Sequence, residues 1–424
     1  MILELKIQNF LSFKNETVFS FEATSDKALE DYYVAEMPDG TRILKMAMVY
    51  GANASGKSNL INTFEFLNRF IERIPDEKEG GTLFEPFNFA ETSNHPGRFE
   101  LLFYVAGKKH RYQLVVDKNI VLEEKLFVYP GSQPAAVFNR YYNADKKVSI
   151  VEFGSKIKIS NQAVEAIQLK TLKNASVFSA YKQVNLSISE LDSVMEWIGS
   201  QFLNSIDPYM DLTSYCGNAI KDNVDMKMLA LRFLKEADFN ITDVLFEDRM
   251  RKVPEELLNV LETMPISDEE RAMIKREKAV HFDETFFTHR VVNDGKEEFF
   301  NMTEHRQSQG TLRYYSLAAP FFQAIKKNAF LPIDEIGSAL HPLLVIHFLK
   351  EFLQKSKQAQ LLFTTHNMSL LNEKDILRKD AIWFTEKGEN GATDLYSLAN
   401  FNFRKELSFF NAYKIGKFGG IPEL

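Results

Sequence analysis

The run Gly51-Ala52-Asn53-Ala54-Ser55-Gly56-Lys57-Ser58 fits the spacing G-x-x-x-x-G-K-[ST] at every position. Glycines at its two ends let successive backbone N–H groups turn inward around phosphate oxygens, and a helix starting at Lys57 aims its positive end at them. In such a loop Lys57 reaches the β and γ phosphates and the Ser58 hydroxyl binds Mg²⁺, while Asn53, Ala54, Ser55, Gly56 and Asn59 complete the cradle. The apolar run Met46 to Tyr50 precedes it. Leu60, Ile61, Phe64, Leu67 and Phe70 then recur at helical spacing, so strand, loop and helix come in the required order. A chance glycine-rich turn is the competing reading, and those flanking elements disfavour it.

A phosphate loop needs a carboxylate to finish a metal site. The apolar stretch Ala329 to Ile333 reads as a strand and ends in Asp334-Glu335. Asp334 is placed to hold Mg²⁺, directly or through a water, and Glu335 to polarise an attacking water as general base. Strands often end in solvated acids, so this pair takes its meaning from the loop at residue 51. Pro332 inside the strand is at odds with a central position, because it has no N–H for the ladder.

Ser308-Gln309-Gly310-Thr311 opens a helical pattern 24 positions before Asp334, counted from Gly310, and His366 follows the strand-like LLFTT. Each alone reads equally well as a helix cap or a strand-end histidine. In this order they resemble the ABC-type ATPases of the SMC and RecF group. The resemblance implies that Ser308 and the Gly310 backbone contact the γ phosphate of ATP held by a second subunit, as a hydroxyl and a helix-tip amide can. It also implies that His366 binds the γ phosphate in its own subunit and acts with Lys57 and Glu335 in catalysis. "LSGGQ" is absent, and Ser338-Ala339-Leu340-His341-Pro342 stands where transporters carry a closing aspartate; a transporter subunit is disfavoured. "ALHP", "HRQSQGTLRYYSL" and the closing "YKIGKFGGIPEL" resemble small AAA-type ATPases of the RloA and AbiLi kind, with overcoming-lysogenization-defect (OLD) ATPases more distant. That likeness spans residues 1 to about 150 and about 285 to 424.

What it implies is an ATP- and Mg²⁺-dependent ATPase of bacterial anti-phage defence, of the abortive-infection sort, joined by ATP into a homodimer or a higher homo-oligomer. The roughly 60 residues after His366 leave no room for a fused Toprim nuclease, so an effector, Toprim-like or RloB-like, is expected on another chain. The alternative is a RecF- or SMC-like ATPase that processes DNA, with DNA or RNA as partner. Gln113 and residues 86–89 are the candidates for a glutamine loop.

The elements that must position these residues follow from periodicity. LELKIQNF, TVFSFEA, ILKMAMVYG, RFELLFYVAG, HRYQLVVD and LEEKLFVY alternate or run apolar between turns, which predicts a strand-rich lobe with one helix after Lys57. From about 160 to 280 the period becomes helical, with Ile188, Leu191, Val194, Met195, Ile198 and Phe202 on one face, Ser187 or Ser189 as cap, and PEELLNVLETM and SDEERAMIKREKAV as later helices. FFTHRVV, Asn293-Asp294-Gly295 and EEFFNM predict a hairpin. A helix over about 311 to 327, a strand over 330–333, a helix over 341–355, a strand over 360–364 and a last hairpin around Gly388 to Gly391 follow. The expected fold is α/β: a split ABC-type P-loop head, mixed sheet plus antiparallel β lobe, with lobes over 1–155 and 285–424 and a helical insertion over 156–284.

The chain has 424 residues, 45% hydrophobic and 26% charged, enough for a large core. Cys216 is the sole cysteine, and no zinc spacing joins the eight histidines, so neither a disulfide framework nor a zinc site is expected. Without an apolar run of about 18 residues no membrane span is expected, and the reading is cytoplasmic. A net charge of -7 opposes a surface built throughout for nucleic acid. Basic and aromatic residues interleave at Lys108 to Tyr112, at Arg140-Tyr141-Tyr142 and at Arg313-Tyr314-Tyr315; these read as solvated strand faces before they read as nucleic-acid grips.

Overall fold

The computed structural model describes residues 1–75, 77, 79–221, 223–237, 240–254, 267–401 and 408–421. The chain divides into two compact units, Met1–Met210 with Gln323–Leu424, and Asp211–Phe322.

In the first unit a seven-stranded antiparallel sheet runs, in spatial order, Val148–Phe153, Ala135–Asn143, Val121–Tyr129, Lys108–Val116, Gly97–Val105, Ile2–Gln8 and Thr17–Ser20. Strict alternation of buried residues along Lys108–Val116 marks a strand with one face on the core. The Gly97–Val105 and Lys108–Val116 hairpin closes through Ala106 (φ 48°) and Gly107 (φ 76°), both left-handed, as a two-residue turn that follows the sheet's twist requires. A five-stranded sheet has the order Phe330–Ile333, Gln360–Thr364, Met46–Gly51, Ile382–Lys387, Thr393–Ser397; the first four are parallel and the last antiparallel. All six residues of Met46–Gly51 are buried, as suits a central parallel strand covered on both faces.

The helix Lys57–Glu72 packs its phenylalanines on both sheets. Phe64 meets Phe330 at a 4.9 Å ring separation, and Phe66 meets Phe10 at 4.8 Å and Phe99 at 5.0 Å. Much of the aromatic content is therefore core, with ring pairs each contributing about 0.5–1.5 kcal/mol beyond area burial.

Pro332 lies in the outermost strand of the five. Its carbonyl accepts from Ile206 N–H at 3.0 Å, on the side away from Gln360–Thr364. Since N–H and C=O of a strand residue point the same way, the missing donor also faces outward, and the inner ladder loses nothing.

The helices Asn161–Lys170, Val177–Tyr181 and Ser189–Gln201 belong to the first unit, whose first stretch runs to Met210. Trp197 stacks on Phe103 at 4.6 Å and Phe178 meets Phe138 at 5.6 Å; these apolar faces are covered by the antiparallel sheet. The cap of Ser189–Gln201 is Ile188, not Ser187 or Ser189, and the Ser187 hydroxyl bonds Asp192 instead.

Arg140 corrects the reading of its patch as a solvated strand face. Its guanidinium is fully buried 3.4 Å from the equally buried Glu124. It donates to the carbonyls of Ala175 (2.8 Å) and Leu172 (2.9 Å) and to Ser149 Oγ (2.9 Å). Glu124 in turn accepts from Tyr112 OH (2.9 Å), Ser176 OH and Val177 N–H (2.9 Å).

The second unit is not purely helical. A three-stranded antiparallel sheet, Ile241–Lys252, Ala279–Asn293 and Lys296–Thr303, lies among the helices Thr213–Lys221, Val224–Glu236, Asp268–Glu277 and Gln309–Ser316. The hairpin at Asn293-Asp294-Gly295 forms as expected, with Asp294 and Gly295 left-handed. The strand Ile241–Lys252 falls within the stretch over which a helical period was expected. Only Ile241 and Val244 are buried in it, so its period is weak and its state is set by pairing with Ala279–Asn293. Of the two charged helices expected, Asp268–Glu277 is present, capped by Ser267, while PEELLNVLETM falls at 254–264, almost wholly outside the described residues. The single helix expected over 311–327 is two, Gln309–Ser316 and Ala318–Lys327. Pro320 accounts for the break: its ring would clash with the carbonyl of Ser316 in a continuous helix and is tolerated in a first turn.

Candidate functional site

The phosphate loop joins the buried strand Met46–Gly51 to the helix Lys57–Glu72, with Ala54 (φ 60°) and Gly56 (φ 106°) left-handed between them. Gly51 and Gly56 leave no room for a side chain. A Cβ on Gly51 would sit 2.3 Å from Thr385 Oγ1, and one on Gly56 would sit 2.1 Å from Thr393 Oγ1. Both neighbours hold the loop: Ser55 Oγ and Thr385 Oγ1 are 2.6 Å apart, and Thr393 OH donates to the Ser55 carbonyl at 2.8 Å. Asn59 Nδ2 donates to Ser12 Oγ at 2.8 Å, which ties the first helical turn to the N-terminal hairpin.

Lys57 is only 5% exposed. Its ammonium donates to the carbonyls of Gly51 (3.0 Å) and Ala52 (2.9 Å). Burial pushes its pKa down, partly offset by the fields of Glu335 and Asp334. A cation that burial disfavours gains from an incoming anion, so the loop fits a phosphate chain.

Thr364, at the end of the strand Gln360–Thr364, organises the acids. Its fully buried hydroxyl accepts from Glu335 N–H at 2.8 Å and donates to Asp334 Oδ1. Glu335 is left-handed, φ 47°, a conformation costly for a residue with a Cβ. Its Oε1 lies 3.4 Å from His366 Nε2. The His366 pKa is lowered, first by burial and then by Lys57, against the pull of Glu335, and a protonated ring nitrogen can act as a donor.

One cleft of about 560 Å³ gathers these groups. Asn53, Ala54, Gly56, Lys57, Ser58, Asn59, Glu335 and His366 line it. Gly51, Asn53, Ser55, Glu335 and His366 also line an adjoining cleft beside Tyr413 and Gly420. Asp334 faces a different cleft, with Ile61, Asn62 and Glu65, and is linked to Lys57 through its field. The exposed Ser58 hydroxyl and the Thr364-oriented Asp334 carboxylate are hard oxygen donors of the kind Mg²⁺ takes.

Ser308 and Gly310 are carried by the second unit. There Ser308 caps the helix Gln309–Ser316, its Oγ accepting from Thr311 N–H at 3.1 Å. Gln113 is engaged elsewhere, donating to Glu100 at 2.6 Å on the antiparallel sheet. Asn88 and Phe89, from the other glutamine-loop candidate, do line the cleft, with Ser12, Lys387 and Gly391. Ser12, Thr364, Thr385, Thr393 and Lys387 went unmarked in the sequence, because their roles come from which strand ends meet at the loop.

A phosphate loop on a parallel strand, an acid pair two strands away and a histidine at the tip of the strand between define a P-loop nucleotide-binding head of ABC type. The model of a family described as "AAA domain, putative AbiEii toxin, Type IV TA system" matches residues 46–372, and the chain belongs to that family. Among solved structures it is similar to the SMC head domain from Thermotoga maritima, at 14% identity over 93% of this chain and 98% of that one, with a TM-score of 0.42. It is similarly close to an SMC head bound to the C-terminal winged-helix domain of ScpA, at 14% identity over 97% and 99% of the two chains, with a TM-score of 0.41. No curated protein matches. Among the described residues no helix is long and apolar enough to cross a membrane.

Proposed function

We propose that the chain binds and hydrolyses ATP and is the switch subunit of a bacterial anti-phage, abortive-infection system, controlling a separate effector such as a nuclease from the cytoplasm. The observation that carries this reading is the buried Lys57 facing the same cleft as Glu335 and His366. The family's description as a putative toxin of a toxin–antitoxin system supports the defence setting.

In this scheme the amides of residues 53–58 and the Lys57 ammonium hold the phosphates, and Ser58 with Asp334 would hold Mg²⁺. Mg²⁺, when bound, neutralises charge on the phosphate oxygens. Glu335 takes a proton from water as that water's oxygen bonds to the γ phosphorus, and the bond to the β–γ bridging oxygen breaks with its electron pair leaving on ADP. His366 donates a hydrogen bond to the γ phosphate. Ser308 and the Gly310 amide of a second copy close the site, so ATP joins two heads and hydrolysis releases them.

Turnover and oligomer size, measured for wild type, Lys57→Ala and Glu335→Gln, test the scheme. Lys57→Ala should lose hydrolysis and ATP-dependent assembly together. Glu335→Gln should keep the assembly and lose roughly 10²- to 10⁴-fold in turnover, the range for a general base. Equal turnover in wild type and Glu335→Gln removes Glu335 from that role. Strong stimulation by duplex DNA would move the reading to a DNA-processing ATPase.

A further inference from the structure

The cleft contains a group that phosphate chemistry does not use. Phe89 is 73% exposed yet lines it beside Asn88, Lys387 and Gly391. An exposed phenylalanine is ordinary when its loop is loose, but this loop is pinned. Asn9, 3% exposed, accepts from Phe87 N–H at 3.3 Å and donates to the carbonyls of Thr92 (2.7 Å) and His95 (2.8 Å). Leu11 N–H donates to the Glu85 carbonyl at 2.9 Å. The buried Phe87 ring meets the Phe89 ring edge-on at 5.6 Å, and the Lys387 ammonium lies 6.0 Å from its centre. Gly391 makes space for the ring: a Cβ there would come within 2.9 Å of it, at a φ of +77°. The ring is thus fixed at its edge and side while much of it stays open to the cleft.

The strand order fixes which end of the cleft this is. Glu335 and His366 follow the two strands on one side of Met46–Gly51, whereas Lys387 ends the strand on the other side and Gly391 sits in the turn after it. A triphosphate with its γ group at Glu335 and His366 therefore runs back across the loop toward Phe89. We propose that Phe89 is the platform on which the nucleobase stacks, and that the Asn88 amide, able to donate and accept at once, reads the edge of a purine. This rests on the reading of the cleft as an ATP site and names the part of the ligand that the phosphate loop leaves unspecified. A pre-set aromatic surface loses little entropy when a base covers it, and such stacking is sequence-tolerant but strongest for large bases.

The test is equilibrium binding of ATP, CTP and inorganic tripolyphosphate, each with Mg²⁺, to the full chain and to Phe89→Ala, Phe89→Trp, Gly391→Ala and Lys57→Ala. Phe89→Ala should weaken ATP by roughly 5- to 150-fold, the span measured for one base on one aromatic, leave tripolyphosphate within twofold and erase the preference for ATP over CTP. Phe89→Trp should restore ATP binding, and Gly391→Ala, by displacing the ring, should resemble Phe89→Ala. Lys57→Ala should weaken ATP and tripolyphosphate alike. An ATP affinity unchanged in Phe89→Ala, or ATP and tripolyphosphate weakened equally, overturns the platform while the phosphate site stands. Failure of wild type to bind either ligand overturns the ATP reading itself, and the platform with it.

Discussion

Replacing Arg140 by methionine keeps most of the side chain's length and removes its charge from a site with no solvent access. Glu124 would keep its three donors from Tyr112, Ser176 and Val177 but lose its counter-charge, and the carbonyls of Leu172 and Ala175 would lose their guanidinium donor. Breaking one side of a buried ion pair costs about 3–5 kcal/mol. Orphaned carbonyls cost about 1–3 kcal/mol each where no water reaches them, so the upper part of that range is expected. With an unfolding entropy of roughly 2 cal/mol/K per residue over a unit of about 300 residues, the melting temperature should fall by roughly 7–8 °C. The assay is thermal and urea unfolding of the full chain, with Glu124→Leu/Arg140→Met beside the single variant. The double variant removes both charges and should recover a large part of the loss, as apolar replacements of buried pairs do. An unchanged melting temperature in Arg140→Met, coupled to lost binding of DNA or RNA, would refute this reasoning and return Arg140 to the surface role that its Arg-Tyr-Tyr neighbourhood suggests.

Two more outcomes are expected. His110 is 3% exposed, donates Nδ1–H to the Lys108 carbonyl at 2.9 Å, and has its pKa lowered by burial from 6.5 to about 4. A depressed histidine stabilises fully above its unfolded pKa and loses that contribution as pH falls from 6.5 toward 4, here about 3 kcal/mol; His110→Phe should flatten the urea midpoint across that window. Gly56→Ala would drive a Cβ to 2.1 Å from Thr393 Oγ1 at a left-handed φ of 106°, so calorimetric ATP affinity should fall by at least about tenfold, or 1.4 kcal/mol, with the far-ultraviolet spectrum retained.

The phosphate loop was legible because its chemistry needs neighbouring residues, and eight consecutive positions carry both the turn and the charge. Asp334, Glu335 and His366 were legible as strand ends, since the parallel strands that carry them are nearly unbroken apolar runs. Arg140 was not, because a strand with one buried face looks the same in sequence whether its cation points out or pairs with Glu124 across the hairpin. Pro332 resisted for a related reason. Its tolerance depends on its missing N–H facing away from Gln360–Thr364, toward the 202–206 segment, a placement that rests on stretches over a hundred residues apart. The strand Ile241–Lys252 was not legible because only two of its residues are buried, which leaves neither period distinct.

Thr364 shows how much of the site's order comes from one such unmarked residue. Its hydroxyl carries both the Glu335 amide and the Asp334 carboxylate, and two residues further along the same chain stands His366, 3.4 Å from Glu335. The left-handed backbone at Glu335, worth roughly 1–2 kcal/mol of strain, is offset in part by the hydrogen bond that its N–H makes to Thr364. The strand Gln360–Thr364 also pairs directly with Met46–Gly51, which leads into the phosphate loop. Glu335, Asp334 and His366, proposed as general base, metal carboxylate and γ-phosphate donor, are therefore referred to a single strand paired with the one that leads to Lys57. Displacing that strand by a fraction of an ångström would shift all three relative to Lys57 at once.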